Sequence, residues 1–179
     1  MSHAARQDLV ALRIAVLTVS DTRDESTDSS GAYLIEALSA AGHTLADRRI
    51  VRDDLYQLRA VVSAWIAADD VDVIISTGGT GFSGRDSTPE ALRILFDKHV
   101  DGFGELFRHL SLQEIGSSTL QSRALAGMAN GKFIFCLPGS TGACRTAWTG
   151  ILQSQLDART RPCNFVGVLS THRHHQVNA

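Results

Sequence analysis

Val71-Asp72-Val73-Ile74-Ile75-Ser76 runs straight into Thr77-Gly78-Gly79-Thr80-Gly81. The first half is a short apolar run, the pattern of a strand buried on both faces. The second half packs three glycines and two threonines into five residues. Backbone amides in such a loop can approach an anion with no Cβ in the way, and the hydroxyls add donors. A tight turn with positive φ is the simpler alternative. The two-part pattern recurs. Phe133-Ile134-Phe135-Cys136-Leu137 breaks at Pro138-Gly139-Ser140-Thr141-Gly142, and Ile14-Ala15-Val16-Leu17-Thr18-Val19 leads into Ser20-Asp21-Thr22-Arg23.

Between these runs the apolar residues follow the 3.6-residue period of helices. Leu34, Ile35, Leu38 and Ala41 share one helical face that ends at Gly42. Thr44 to Val51 fits a second strand. Asp53 or Asp54 can cap a helix carrying Leu55, Leu58, Val61, Val62, Trp65 and Ile66. A further helix is predicted to start near Thr88-Pro89-Glu90, with Ser87 and Glu90 as a capping box. Others are predicted at Gly104 to Leu112, at Thr119 to Ala129, and along Ala147, Trp148, Ile151, Leu152 and Leu156. Strands alternating with helices predict an α/β fold of three layers, a mostly parallel sheet covered on both faces. No linker or repeat divides the 179 residues, so one domain is expected, with its core at about residues 12–168 and flexible ends. Ligands of such sheets sit beyond the carboxyl ends of the strands, at a topological switch point. The three loops lie there.

Composition narrows the function. An apolar share of 44% and a charged share of 20% suit a chain with a packed core. A net charge of −2 without a basic run disfavours nucleic acid as a partner. No 18-residue apolar run predicts a membrane span, and no apolar leader precedes Leu12, so the expected location is cytoplasmic. Cys136, Cys144 and Cys163 form no CxxC pair, which argues against a disulfide framework or structural zinc. The tail His172-Arg173-His174-His175 reads as a solvated end.

The glycine loop is followed by neither GK[ST] nor a GxGxxG spacing, so neither a P-loop nor a dinucleotide fingerprint is supported. Just beyond it, Asp86 is a candidate Mg²⁺ ligand and Arg85 a candidate phosphate partner; a surface ion pair and a helix cap explain them equally. Pro138 to Gly142 enters a helix, where an anion and an ordinary Ser140 or Thr141 cap would use the same amides. Ser117-Ser118-Thr119-Leu120-Gln121-Ser122-Arg123 is a further hydroxyl cluster. No Ser/His/Asp or Cys/His arrangement offers a protein nucleophile. Chemistry in which one substrate attacks another, positioned and neutralised by the protein, is therefore favoured.

Together these pieces resemble the MoaB/MogA family of molybdenum cofactor biosynthesis. They are Thr18-Val19-Ser20-Asp21, Thr77 to Gly81 with Arg85-Asp86 and Thr88-Pro89-Glu90-Ala91, Gly102-Phe103-Gly104-Glu105, Leu120-Gln121-Ser122-Arg123 and Leu137-Pro138-Gly139-Ser140. Glu114 to Arg123, Pro138 to Thr141 and Leu156 to Phe165 look like the MoaB branch. The resemblance implies a molybdopterin-binding-like fold and molybdopterin and ATP as substrates. It implies that Mg-ATP adenylates the terminal phosphate of molybdopterin, giving adenylyl-molybdopterin and pyrophosphate. The alternative it leaves is a catalytically silent pterin carrier of the same pathway. Homo-oligomers are implied too, trimers in the MogA branch and often hexamers in the MoaB branch. By the same resemblance Asp53 and Asp86 hold Mg²⁺ and are the catalytic carboxylates. Thr77, Gly78, Gly79, Thr80, Gly81 and Arg85 serve the nucleotide phosphates. Ser122, Gly139, Ser140 and Thr141 face the pterin, and Ser20 and Asp21 line the pocket. Ser140 stands where MogA-like members carry an amide after Pro-Gly. Asp53 and Arg85, which some silent MoaB proteins replace, are both present.

Overall fold

The computed structural model describes residues 8–169. The ends expected to be flexible, with the His172–His175 tail, lie outside the described residues. Six strands form one sheet: β1 (Arg13–Val19), β2 (Thr44–Val51), β3 (Val73–Thr77), β4 (Lys98–His99), β5 (Leu125–Ala129) and β6 (Lys132–Leu137), in the order β2-β1-β3-β6-β5-β4. β2, β1, β3 and β6 are parallel; β5 runs antiparallel to β6, and β4 antiparallel to β5. This is the mostly parallel sheet that the alternation of elements predicts.

The unbroken apolar runs have a direct reason. Side chains alternate across a strand, and here each face meets its own core. Ile14 and Val16 of β1, Val73 and Ile75 of β3, and Phe133 and Phe135 of β6 pack on one side. Ala15, Leu17 and Val19, Ile74, and Ile134 and Cys136 pack on the other. The first core is closed by α1 (Ser29–Ala40), α4 (Asp101–Ile115) and α5 (Thr141–Ala147), which continues through a π-type segment (Trp148–Leu152) into α6 (Gln153–Gln155). Residues 165–169 add a last helical turn that sets Phe165 on Phe133, centroids 4.4 Å apart. The second core is closed by α2 (Leu55–Ala67) and α3 (Thr88–Leu92). Trp65 and Trp148 are core residues, and Asp54, not Asp53, caps α2 by accepting from the Tyr56 and Gln57 amides.

Two local expectations are corrected. Thr119 to Ala129 is no helix: Gly116–Gln121 is a 3₁₀ segment and Leu125–Ala129 is strand β5. Ser87 and Glu90 form no capping box. The Ser87 hydroxyl donates to Asp53 Oδ1 at 2.5 Å, and Glu90 pairs with Arg123.

After β1 the chain crosses to β2 on one side; after β3 it leaves toward β6 and β4 on the other. The switch point therefore falls between the carboxyl ends of β1 and β3, where the chain must part in opposite directions and leave a crevice.

Candidate functional site

A cavity of about 690 Å³ opens at that crevice. Its floor is Val19 and Ser20 after β1, Gly78 to Gly81 after β3, and Pro138 to Ser140 after β6. One flank is Asp86; the opposite flank is Phe107, Ser111 and Glu114 of α4 with Ser118, Gln121 and Ser122 beyond it. Ala143 and Thr146 of α5 complete the wall.

The glycines are demanded by this geometry. Gly78 has φ +106°, and a Cβ there would lie 2.3 Å from the Val19 carbonyl oxygen. Gly79 has φ +65°, and a Cβ there would meet Thr88 Oγ1 at 2.4 Å and Asp53 Oδ2 at 2.5 Å. Only glycine lets β3 turn against β1 and lets Asp53 approach the loop. The Ser87 amide and hydroxyl both donate to Asp53 Oδ1, at 3.0 and 2.5 Å. Its other oxygen is thereby turned to Gly79. Asp86 reaches the same loop at Gly81: Oδ2 accepts from the Ser83 amide at 2.7 Å and would lie 2.8 Å from a Cβ on Gly81. Two carboxylates from different segments thus approach one glycine loop, at Gly79 and at Gly81.

Of the residues singled out from sequence, Ser20, Gly78, Gly79, Thr80, Gly81, Asp86, Ser122, Gly139 and Ser140 share the cavity wall. Asp53 stands behind Gly79. Thr77 is fully buried beneath the loop, where its hydroxyl donates to the Pro138 carbonyl at 2.9 Å. Thr141 begins α5, with its hydroxyl 2.9 Å from that of Ser29. Arg85 pairs with Asp21 through two contacts, at 2.7 and 2.8 Å, which ties the loop after β3 to the loop after β1. Ser140 caps α5 by accepting from the Ala143 amide. Cys144 lies beneath, and burial pushes its thiol up to about 11, so it is no nucleophile at neutral pH.

Several wall residues were not apparent from sequence. Arg23 donates to the Ser30 hydroxyl at 2.6 Å and the Gly139 carbonyl at 3.2 Å, which fixes a cation on the cavity rim. Beside it, Asp28 is buried. Burial alone would raise its pKa, but the Gly31 amide, the Thr18 hydroxyl and the Arg48 guanidinium hold it below the usual range. Arg123 braces the loop from behind: it donates to the carbonyls of Gly81 at 2.8 Å and Asp86 at 2.9 Å. Its signals in the sequence were its place at the end of a hydroxyl cluster and in a stretch that resembles the family, neither of which told its role. Ser111 and Thr146 carried none, and Glu114 only its place at the head of a family-like stretch, because α4 and α5 become cavity walls only through packing.

Comparison with known proteins agrees with this architecture. The family model described as "Probable molybdopterin binding domain" matches residues 15–158. The chain is 59% identical over 158 residues to molybdenum cofactor biosynthesis protein B of Escherichia coli K12, covering 88% of this chain and 93% of that one. It is 46% identical to the protein of that name from Halalkalibacterium halodurans, over 81% of this chain and 86% of that one. A crystal structure of a molybdenum cofactor biosynthesis protein B superposes with TM-score 0.85 at 40% identity, over 94% of this chain and 99% of that chain. The tungsten cofactor synthesizing protein MoaB from Pyrococcus furiosus gives 0.71 at 36%, over 80% and 92%. With a crevice at the β1/β3 switch point, a glycine loop approached by two carboxylates and this level of identity, the chain belongs to the MoaB/MogA family of molybdenum cofactor biosynthesis proteins, in its MoaB branch.

Proposed function

We propose that this protein binds molybdopterin and transfers the adenylyl group of ATP to its terminal phosphate. A phosphate oxygen of the pterin attacks the α-phosphorus of ATP, the bond from that phosphorus to the bridging oxygen breaks, and pyrophosphate leaves. The observation that carries the reading is the approach of Asp53 to Gly79 and of Asp86 to Gly81 within one glycine loop. Repulsion between two polyanionic substrates is the main obstacle, and the amides of this loop are placed to offset it. Carboxylates at this loop suit Mg²⁺, which takes one or two protein carboxylates and completes its shell with phosphate oxygens and water. Among the described residues no group of three or more acidic, His or Cys side chains converges as a full cage. When bound, the metal supplies charge neutralisation at the phosphates. Ser20, Thr80 and Arg23 supply donors around the phosphates, and Ser122 and Ser140 stand on the pterin side.

One observation favours the alternative of a silent carrier. Asp53 Oδ1 is held by Ser87, and Arg85 is held by Asp21, so both groups already have structural duties. The test is incubation of purified protein with molybdopterin, ATP and Mg²⁺, with adenylyl-molybdopterin followed by mass. The expected result is product, reduced about a hundredfold or more in Asp86→Asn. That variant keeps an oxygen for the Ser83 amide, so folding and pterin binding survive. Pterin binding without product, under conditions where a known adenylyltransferase succeeds, would establish the carrier.

A further inference from the structure

Asp21 lies between Ser20 and Thr22, and Arg85 lies next to Asp86; Ser20, Thr22 and Asp86 all line the cavity. The ion pair of Asp21 with Arg85 therefore joins two loops at the rim, yet neither loop depends on it. The turn that carries Asp21 is pinned by Ser20, whose amide donates to the Val51 carbonyl at 2.9 Å and whose hydroxyl accepts from the amides of Thr22 at 3.3 Å and Arg23 at 3.1 Å. The loop that carries Arg85 is pinned by the Asp86 amide on the Ser83 carbonyl at 3.0 Å and by Arg123 on the carbonyls of Gly81 and Asp86. With side chains 67% exposed for Arg85 and 33% for Asp21, the pair contributes little to folding. What it does fix is the direction of one guanidinium. Arg85 Nε lies 2.7 Å from Asp21 Oδ2, and Nη2 donates to Oδ1 at 2.8 Å. Those contacts occupy one edge of a planar group that has five N–H donors. Nη1 and the second proton of Nη2 form the other edge, and among the described residues no hydrogen bond takes it.

We propose that Asp21 is a positioning residue: it clamps one edge of the Arg85 guanidinium so that the other edge is presented to a phosphate of the nucleotide. This rests on the ATP-binding reading given above. A guanidinium edge meets two phosphate oxygens with two parallel N–H bonds, a geometry that arginine supplies and lysine does not. An unclamped arginine on the surface would give up its rotamer freedom only when the phosphate arrives, and affinity would carry that cost. Asp21 orders the side chain beforehand. The pair thus leaves Arg85 a second fork, beside the carboxylate of Asp86. The negative charge of Asp21 opposes a phosphate, so the sign of its net effect decides between clamp and competitor.

The experiment measures Mg-ATP binding by calorimetry for the wild type, Asp21→Asn, Arg85→Gln, the double variant and Arg85→Lys, each with its fold checked by circular dichroism. Arg85→Gln is expected to weaken ATP about tenfold or more, as loss of hydrogen bonds to a charged group does. Asp21→Asn sets an amide donor against a guanidinium N–H. It is expected to weaken ATP about threefold or more, the effect of one long side chain left to be ordered on binding. In the Arg85→Gln background the same Asp21→Asn change is expected to weaken nothing, because no guanidinium remains to be aimed. Arg85→Lys keeps a cation for Asp21 but has no second edge, and is expected to bind ATP as weakly as Arg85→Gln. Unchanged affinity in Asp21→Asn, or a tighter one because Asp21 competes with the phosphate, overturns the proposal. So do equal losses in both backgrounds, which would mean that Asp21 acts without Arg85. Arg85→Lys that binds as the wild type does reduces the pair to a tie between loops and overturns it as well. A folded wild type that binds no Mg-ATP removes the nucleotide reading itself, whereas ATP binding without coupling between the two positions removes only the role of Asp21.

Discussion

His43 is buried, and the Leu12 amide donates to its Nδ1 at 3.3 Å. Protonating that nitrogen would turn a donor against a donor. Burial holds the pKa of His43 below its ordinary 6.5, against a small opposing pull from Asp157. The folded protein thus keeps the ring neutral while the unfolded chain begins to bind a proton near pH 6.5. Below that pH the unfolded state gains more protons, so stability falls as pH falls. Denaturant unfolding from pH 8 to 5 should show this decline. His43→Asn, whose side-chain oxygen can still accept from Leu12, should flatten it within that window. Gly78 makes a second prediction at this scale. Gly78→Ala must hold a Cβ at φ +106° and 2.3 Å from the Val19 oxygen. The conformation alone costs of order 1–3 kcal/mol, and the contact adds to it. Urea unfolding should register a loss of at least about 2 kcal/mol.

Elements differ in how far their sequences declare them. β1, β3 and β6 were readable because each supplies both cores, so their central positions are an unbroken apolar run too short for a helix. β5 was not. Leu125-Ala126-Gly127-Met128-Ala129 lacks the β-branched residues that favour strands, and Leu120, Ala124 and Met128 fall at the four-residue spacing of a helix face. It is a strand because β6 offers it an antiparallel partner along its whole length, from Leu125 opposite Cys136 to Ala129 opposite Lys132. Tertiary pairing overrode local preference. The site divides the same way. Its floor, made of strand-to-helix loops, was visible in the glycines, whereas its walls depend on how α4 and α5 pack. Arg123 links the two regimes, since it fastens the 81–86 loop to the start of β5 through Gly81, Asp86 and Glu90. Arg123→Lys cannot reproduce this fork. Bonds to a charged donor contribute about 1.5–3 kcal/mol, so amide exchange in residues 80–87 should quicken about tenfold or more while the strands stay protected.

The whole molecule presents apolar surface that its own fold does not use. Ile94 is 64% exposed and Leu120 is 75% exposed. Both line a second hollow of about 870 Å³, beside the sheet-edge strand β4. Large side chains clustered on one surface mark an association site more often than chance exposure does, and a two-residue edge strand is too short to recruit a partner by backbone pairing. We propose that this face joins copies of the chain, in line with the trimers or hexamers that the family resemblance implies. Sedimentation of the wild type should then give a trimer or hexamer. Ile94→Glu with Leu120→Glu should shift the population to smaller species by placing like charges in a dehydrated contact. Because both residues are exposed in the folded chain, the substitutions leave its core intact, and circular dichroism should be unchanged. A wild type that sediments as a monomer, or a double variant that assembles as the wild type does, would remove this face from the interface.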